Sequence, residues 1–332
     1  MNDIKYDVLG IGNAIVDVLA HAEDDFLTEN NLAKGAMTLI GATDAEALYG
    51  RMAPAIEVSG GSAANTIVGV ASLGGRGAFI GKVHDDQLGA VFAHDIGAAG
   101  VTFDSAPTVD GAPTARCLIL VTPDAQRTMQ TYLGACVELG PDDVDEDLIV
   151  SAQVTYLEGY LWDPPRAKKA FRQAAEYARR AGRRVALSLS DPFCVDRHRA
   201  EFRYLVENHV NILFANEEEI KSLYQVDDFD AALQQVRGHC DIVALTRSEK
   251  GSVVVAGDAL HVLDAEPVKR VADTTGAGDS YAAGFLFGLT QGHDLALCGR
   301  LGGMAAAEII SHFGARPERP LAALADEMLS GN

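Results

Sequence analysis

Asp273-Thr274-Thr275-Gly276-Ala277-Gly278-Asp279-Ser280 runs directly into an apolar stretch, Tyr281-Ala282-Ala283-Gly284-Phe285-Leu286-Phe287-Gly288-Leu289. That stretch is apolar almost all round and dense in small residues, so a helix there must be buried on most sides. The residues before it place glycines and one carboxylate at the helix start. The first N–H groups of a helix lack intrahelical partners and carry the positive end of its dipole, so glycines there let phosphate approach the main chain. Asp279 then lies within reach of whatever attacks that phosphate. The plainer alternative is a tight strand-to-helix turn capped by Asp or Thr. A carboxylate at a buried helix start is unfavourable without a partner or a task, which moves the balance toward chemistry.

Upstream of this segment, apolar strands alternate with amphipathic helices, the pattern of an α/β fold whose mostly parallel sheet carries helices on both faces. The spacing predicts core strands at Val8 to Ile11, Ala78 to Lys82, Val154 to Leu157, Val185 to Ser190, Ile212 to Ala215, Ile242 to Thr246 and Ser252 to Ala256. Ligands of such sheets gather beyond the carboxyl ends of the strands. Val16 to His21, Ala36 to Ile40, Thr114 to Thr122 and Arg127 to Leu133 break the alternation. The last two flank Thr122-Pro123-Asp124-Ala125-Gln126, a hairpin turn by composition. Together these four predict a small β-sheet lid, formed by about residues 14–41 and 112–134, on a single unit spanning residues 1–332. The alternative is extra strands of the main sheet.

The 332 residues suffice for a sizeable core. A net charge of −20, from 47 acidic and 27 basic residues, argues against nucleic acid or an anionic membrane as partner and favours a small molecule. Backbone donors and a divalent cation can still hold a polyphosphate locally. Cys117, Cys136, Cys194, Cys240 and Cys298 are scattered singly, which predicts reduced thiols rather than a disulfide framework or a zinc site. The first residues lack the basic-then-apolar pattern of a signal peptide and no apolar run reaches membrane-spanning length, so a cytoplasmic protein is expected.

Ser59-Gly60-Gly61-Ser62-Ala63-Ala64-Asn65-Thr66 opens a second helix. Ser62 and Asn65 fall on or near its first turn, where they either hydrogen-bond a polyhydroxylated ligand or serve as an ordinary N-cap and a solvent-facing side chain. Gly10-Ile11-Gly12-Asn13-Ala14-Ile15 begins like a dinucleotide fingerprint but has Ile15 for the third glycine and continues into a strand, so a dehydrogenase reading is weak. Asp17 sits in an apolar run and needs a partner, such as a pair of sugar hydroxyls. Asn216-Glu217-Glu218-Glu219 follows a strand; its acids either complement the helix dipole or help hold magnesium. Thr246 to Gly251 reads as a hairpin turn that could lie along a nucleotide. Pro141 to Asp147 reads as a solvated helix start. No G-x-x-x-x-G-K-[ST], H-E-x-x-H, G-x-S-x-G or H-R-D set is present.

In their order along the chain, Asp17, Gly60 to Asn65, Asn216 to Glu219, Thr246 to Gly251 and Asp273 to Asp279 resemble the ribokinase-like (PfkB) carbohydrate kinase family over nearly the whole length. The resemblance implies transfer of the ATP γ-phosphoryl to a hydroxyl, usually primary, with Asp279 as base and backbone N–H groups of Gly276, Ala277 and Gly278 as the anion hole. It implies acceptor binding by Asn13, Asp17, Gly60, Gly61, Ser62, Asn65 and Glu158. It further implies nucleotide contacts from Asn216, Glu219, Thr246, Ser248 and Gly251, with Glu219 ordering Mg2+ through water. Asp273, Thr275 and Gly314 match a monovalent-cation (K+) loop. Gly12 to Asp17, Gly60 to Thr66 and Leu189-Ser190-Asp191-Pro192-Phe193 look like the adenosine kinase branch, whereas Glu158 stands where sugar kinases often carry Glu. The expected acceptor is therefore adenosine or a similar nucleoside. The alternatives are a free sugar (ribokinase, fructokinase or ketodeoxygluconate kinase-like) and, more remotely, nucleoside binding without catalysis. A monomer or homodimer is expected. Met37, Leu39, Tyr160 and Phe193 offer apolar walls for a purine or simple packing.

Overall fold

The computed structural model describes residues 3–124 and 126–330. Its strands in chain order are β1 (Tyr6–Ile11), β2 (Ile15–His21), β3 (Met37–Leu39), β4 (Ile56–Gly60), β5 (Gly77–Ile80), β6 (Val101–Thr102) and β7 (Ala115–Val121). They continue as β8 (Arg127–Tyr132), β9 (Ala152–Glu158), β10 (Arg184–Ser188), β11 (Ile212–Asn216), β12 (Ile242–Thr246), β13 (Ser252–Ala256) and β14 (Ala259–Leu263). The large sheet has the order β14-β13-β12-β11-β10-β9-β1-β5-β6 and is parallel from β12 through β6. Buried on both faces, its central strands are continuous apolar runs: Val8, Leu9 and Ile11 of β1 are fully buried. β13 and β14 add an antiparallel hairpin at one edge.

The expected core strands all form, within a residue or two at most ends. Two further strands, β6 and β14, went unread. β6 is only two residues long, too short for a pattern although Val101 is buried, and β14 lies at the edge with Ala259, Leu260 and Val262 exposed.

The four irregular segments do form a separate sheet, of order β3-β8-β7-β2-β4. Its fifth strand, β4, was missed because Ile56-Glu57-Val58-Ser59 runs straight into the glycine pair and reads as part of that motif. The turn between β7 and β8 is closed by the Thr122 N–H to Gln126 O bond of 3.0 Å; Ala125 within it lies outside the described residues, as do Met1, Asn2 and the last two residues. Asp145 caps the short helix Glu146–Val150, so the acidic stretch is a helix start as expected. The five cysteines are free thiols.

Two helices of small residues fix the geometry of the site. A Cβ on Gly69 of the helix Ser62–Ser72 would meet Ala283 Cβ of the helix Ala277–Thr290 at 2.6 Å, so these helices pack nearly backbone to backbone. On the far side, a Cβ on Gly284 would meet Leu301 O at 2.3 Å. Close packing brings the two N-termini together beside β1, where β5 and β9 lie on opposite sides and the strand order reverses.

Candidate active site

Asp279 is the third residue of its helix, whose N-cap, Gly276, takes φ +76°. Across the helix pair, Ser62 Oγ donates to Asp279 Oδ1 at 2.6 Å and Asn65 Nδ2 donates to Oδ2 at 3.1 Å. Neither residue plays the plainer part open to it in the sequence. Gly61, at φ +99°, is the N-cap, and Asn65 is 7% exposed rather than turned to solvent. Burial raises the Asp279 pKa, opposed by Ser62, Asn65 and the Arg316 guanidinium. Asn65 Oδ1 is buried with no protein partner.

Asp17, on β2, lies next to this pair. A Cβ on Gly60 would meet its carboxylate at 2.5 Å, which explains the glycine there. Burial raises Asp17 to about 6, while Arg316 and Arg127 pull it down. No donor among the described residues bonds its oxygens, so both are open to a donor from outside the protein. Gly61 is required for a different reason: besides its positive φ, a Cβ would lie 2.1 Å from Asn13 O.

Glu158, at the end of β9, is 1% exposed and committed to the protein. Its Oε1 accepts from Asn13 Nδ2 at 2.6 Å; its Oε2 accepts from the N–H groups of Ala63 at 2.8 Å and Asn13 at 3.3 Å. Burial first of all raises it to about 7. Glu158 and Asn13 therefore form a buttress that ties the end of β1 to the start of the Ser62 helix.

At the anion-hole segment, Ala277 N–H is already engaged by Thr274 O at 3.2 Å, whereas among the described residues those of Gly276, Gly278 and Asp279 have no protein acceptor. The open donors are thus Gly276, Gly278 and Asp279, which differ from the expected set in one member, Asp279 in place of Ala277. A Cβ on Gly278 would meet nothing within 4 Å.

Asp273, Thr275 and Gly314 converge, but around an arginine. Asp273 Oδ1 accepts from Thr275 N and Oγ1, and Oδ2 accepts from Gly314 N and from Arg127 Nη1 of β8. Arg127 Nη1 also donates to Thr275 Oγ1 at 2.8 Å. The donor set does not fit a monovalent cation: a guanidinium already sits on the carboxylate, and like charges repel. Nothing near Arg127 in the sequence signals a partner 146 residues away.

Asn216 and Glu219 form a reciprocal capping box at the helix Glu217–Tyr224. Glu219 N donates to Asn216 Oδ1, and Asn216 N and Nδ2 donate to the Glu219 carboxylate. Burial, then Asp191 and Asp279, hold Glu219 at about 7 against its Asn216 bonds. A buried Glu219 with the half-buried Asp191 and Asp279 nearby suits a divalent cation arriving with ATP, although no group of three or more ligating side chains is preassembled among the described residues. Thr246 ends β12, and Ser248 and Gly251 form the turn into β13 with positive φ. A Cβ on Gly251 would lie 1.9 Å from Leu263 O, so this glycine has a packing reason of its own.

A sequence model of pfkB family carbohydrate kinases matches residues 36–321. The chain belongs to that family. The crystal structure of adenosine kinase from Sinorhizobium meliloti is 55% identical, with a TM-score of 0.90 over 98% of this chain and 99% of that one. The crystal structure of a probable sugar kinase from Rhizobium etli CFN 42 is 51% identical, with a TM-score of 0.91 over the same shares. Adenosine kinase of Saccharomyces cerevisiae is 26% identical over 92% of this chain and 94% of its own. As a pfkB kinase, the chain uses ATP as phosphoryl donor, typically with Mg2+, and acts on a small nucleoside or sugar. No helix among the described residues is long and apolar enough to cross a membrane.

Proposed function

We propose that this pfkB kinase moves the γ-phosphoryl of Mg–ATP to the primary hydroxyl of a ribose-containing nucleoside, adenosine or a close analogue. The observation that carries this reading is the constellation at Asp279. Its carboxylate is oriented by Ser62 and Asn65, beside the unbonded carboxylate of Asp17 and the unpartnered Oδ1 of Asn65. Asp17 and Asn65 suit ribose hydroxyls, which orients the primary hydroxyl toward Asp279. The hydroxyl oxygen bonds to the γ-phosphorus as the bond to the β,γ-bridging oxygen breaks, its electron pair leaving with ADP. Asp279 takes the proton. The open N–H groups of Gly276, Gly278 and Asp279 then stabilise the equatorial oxygens, and Arg127 brings a positive charge to the edge of that hole. Asn216 and Glu219 would order the Mg2+ that arrives with ATP, and Thr246, Ser248 and Gly251 would lie along the nucleotide.

The acceptor rests on two supports. One is the high identity to a solved adenosine kinase. The other is that Glu158, the feature most like a sugar kinase, has its carboxylate committed to Asn13 and Ala63, so it is no ready partner for a free sugar. Measurement of ADP release with adenosine, inosine, ribose, fructose and 2-keto-3-deoxygluconate is expected to give turnover with adenosine above all. Absence of turnover with every nucleoside would overturn the assignment. We read the small sheet as a lid that closes over the acceptor and excludes water, with residues 1–332 as one unit.

A pH dependence follows from the geometry. Asp279 must be ionised to accept a proton, and burial raises its pKa above the ordinary carboxylate value, so kcat/KM falls as pH drops through that raised value. Ser62→Ala removes a hydrogen bond to the charged form. The acid limb is then expected to move to higher pH; an unmoved limb would show that Ser62 does not tune the base.

A further inference from the structure

Arg316 lies outside every motif that marks the chain as a kinase, yet it ties together the two halves of the site. Its Nε and Nη2 donate to Ser59 O at 2.9 and 2.6 Å, Nη2 also donates to Ser59 Oγ at 2.8 Å, and Nη1 donates to Ala64 O at 3.2 Å. Ser59 is held from the other side by Asp95, whose Oδ2 accepts from Ser59 N at 2.7 Å and from its Oγ at 2.6 Å. Ser59 is the point where β4 of the small sheet turns into the Ser62 helix. Ala64 sits on that helix between Ser62 and Asn65, the two residues that hold Asp279.

The same short segment also reaches the phosphate side. Gly314 N donates to Asp273 Oδ2 at 3.1 Å, and a Cβ on Gly276 would meet Ala315 Cβ at 2.7 Å. Residues 314–316 therefore touch the anion-hole loop at one end and the acceptor turn at the other. A forked guanidinium with several fixed donors can hold two backbone carbonyls of different elements in register, whereas an ammonium is a point charge.

We propose that Arg316 is a positioning residue for phosphoryl transfer, locking the Ser59–Asn65 turn to the 314–316 segment so that Ser62 and Asn65 present Asp279 to the acceptor. The proposal rests on Asp279 as base. Arg316 itself is pulled down to about 10 by burial and is sustained by Asp95, Asp17 and Asp279. It is the cation that opposes the rise of Asp279, which is also faced by the carboxylates of Asp17 on β2, Glu158 on β9 and Glu219, and by Tyr156 and Tyr160.

Two full-length variants test this. Arg316→Gln removes charge and fork; Arg316→Lys keeps the charge and loses the fork. Arg316→Gln is expected to lower kcat by about tenfold or more and to move the acid limb of kcat/KM up by about one pH unit. Arg316→Lys is expected to lose kcat comparably while its limb stays near wild type, because the charge remains. Should Arg316→Gln fail to fold, Arg316→Lys together with Ser59→Ala, which removes only the hydroxyl contacts, carries the test through a loss of kcat at unchanged thermal midpoint. Wild-type kcat in the lysine variant, or a fall in thermal midpoint with an unmoved limb in the glutamine variant, would reduce Arg316 to a structural tie and overturn the proposal. The two readings fail separately: near-normal turnover by an Asp279→Asn enzyme removes the base, whereas superposed limbs in wild type and Arg316→Gln remove Arg316 from its tuning.

Discussion

Asp279→Asn is expected to lower kcat by about 10²–10⁴-fold while leaving acceptor affinity nearly unchanged. The amide keeps the size and both hydrogen bonds: its oxygen accepts from Asn65 Nδ2, and its NH2 faces Ser62, whose hydroxyl rotates to accept. What disappears is the capacity to take a proton. Stability gives an independent check on the same variant. An acid whose pKa is higher in the folded than in the unfolded state contributes most at low pH, and that contribution is lost as pH rises from the ordinary carboxylate range through the raised value. At neutral pH the Asn variant therefore escapes the burden of a buried charge, and its thermal midpoint should equal or exceed wild type. Steady-state ADP release, calorimetric acceptor binding and a melting curve measure all three. A kcat within a few fold of wild type would end the base assignment.

Gly276→Ala is expected to lower kcat/KM by about 10²–10³-fold, the effect of losing an oxyanion-type donor. Two physical causes act together. The residue sits at φ +76°, where an L side chain is strained, and the new Cβ would press on Ala315 Cβ at 2.7 Å. The turn must shift, and with it the open N–H groups proposed to hold the phosphoryl. Gly278→Ala is the informative contrast, because its Cβ meets nothing within 4 Å and its φ is ordinary, so it should fold like wild type. Equal thermal midpoints and equal turnover in wild type and Gly276→Ala would refute the anion hole built on this turn.

The sheet was legible because parallel strands buried on both faces leave long apolar runs; Val8 to Ile11 and Ile212 to Ala215 could hardly be anything else. β4 was hidden because its end is shared with the glycine motif. Asp279 was legible because a charge beside an apolar helix is locally anomalous. Glu158 was visible as a carboxylate, but not as a buttress, since its partners Asn13 and Ala63 lie 145 and 95 residues away in sequence. Arg127 and Arg316 carried no local sign at all.

By itself, then, the sequence determined the fold class, the two helix starts and the residue types proposed to meet the phosphate and the acceptor, because periodicity, glycine placement and isolated charge are local properties. The tertiary structure alone decided how those residues are used. Close packing at Gly69 and Ala283 brings Ser62 and Asn65 onto Asp279, while separate long-range contacts commit Glu158 to Asn13 and Ala63 and seat Arg127 on Asp273, where a cation was expected. Such pairings depend on distances across elements far apart in the chain, and a hydrogen bond exists only once folding has closed those distances.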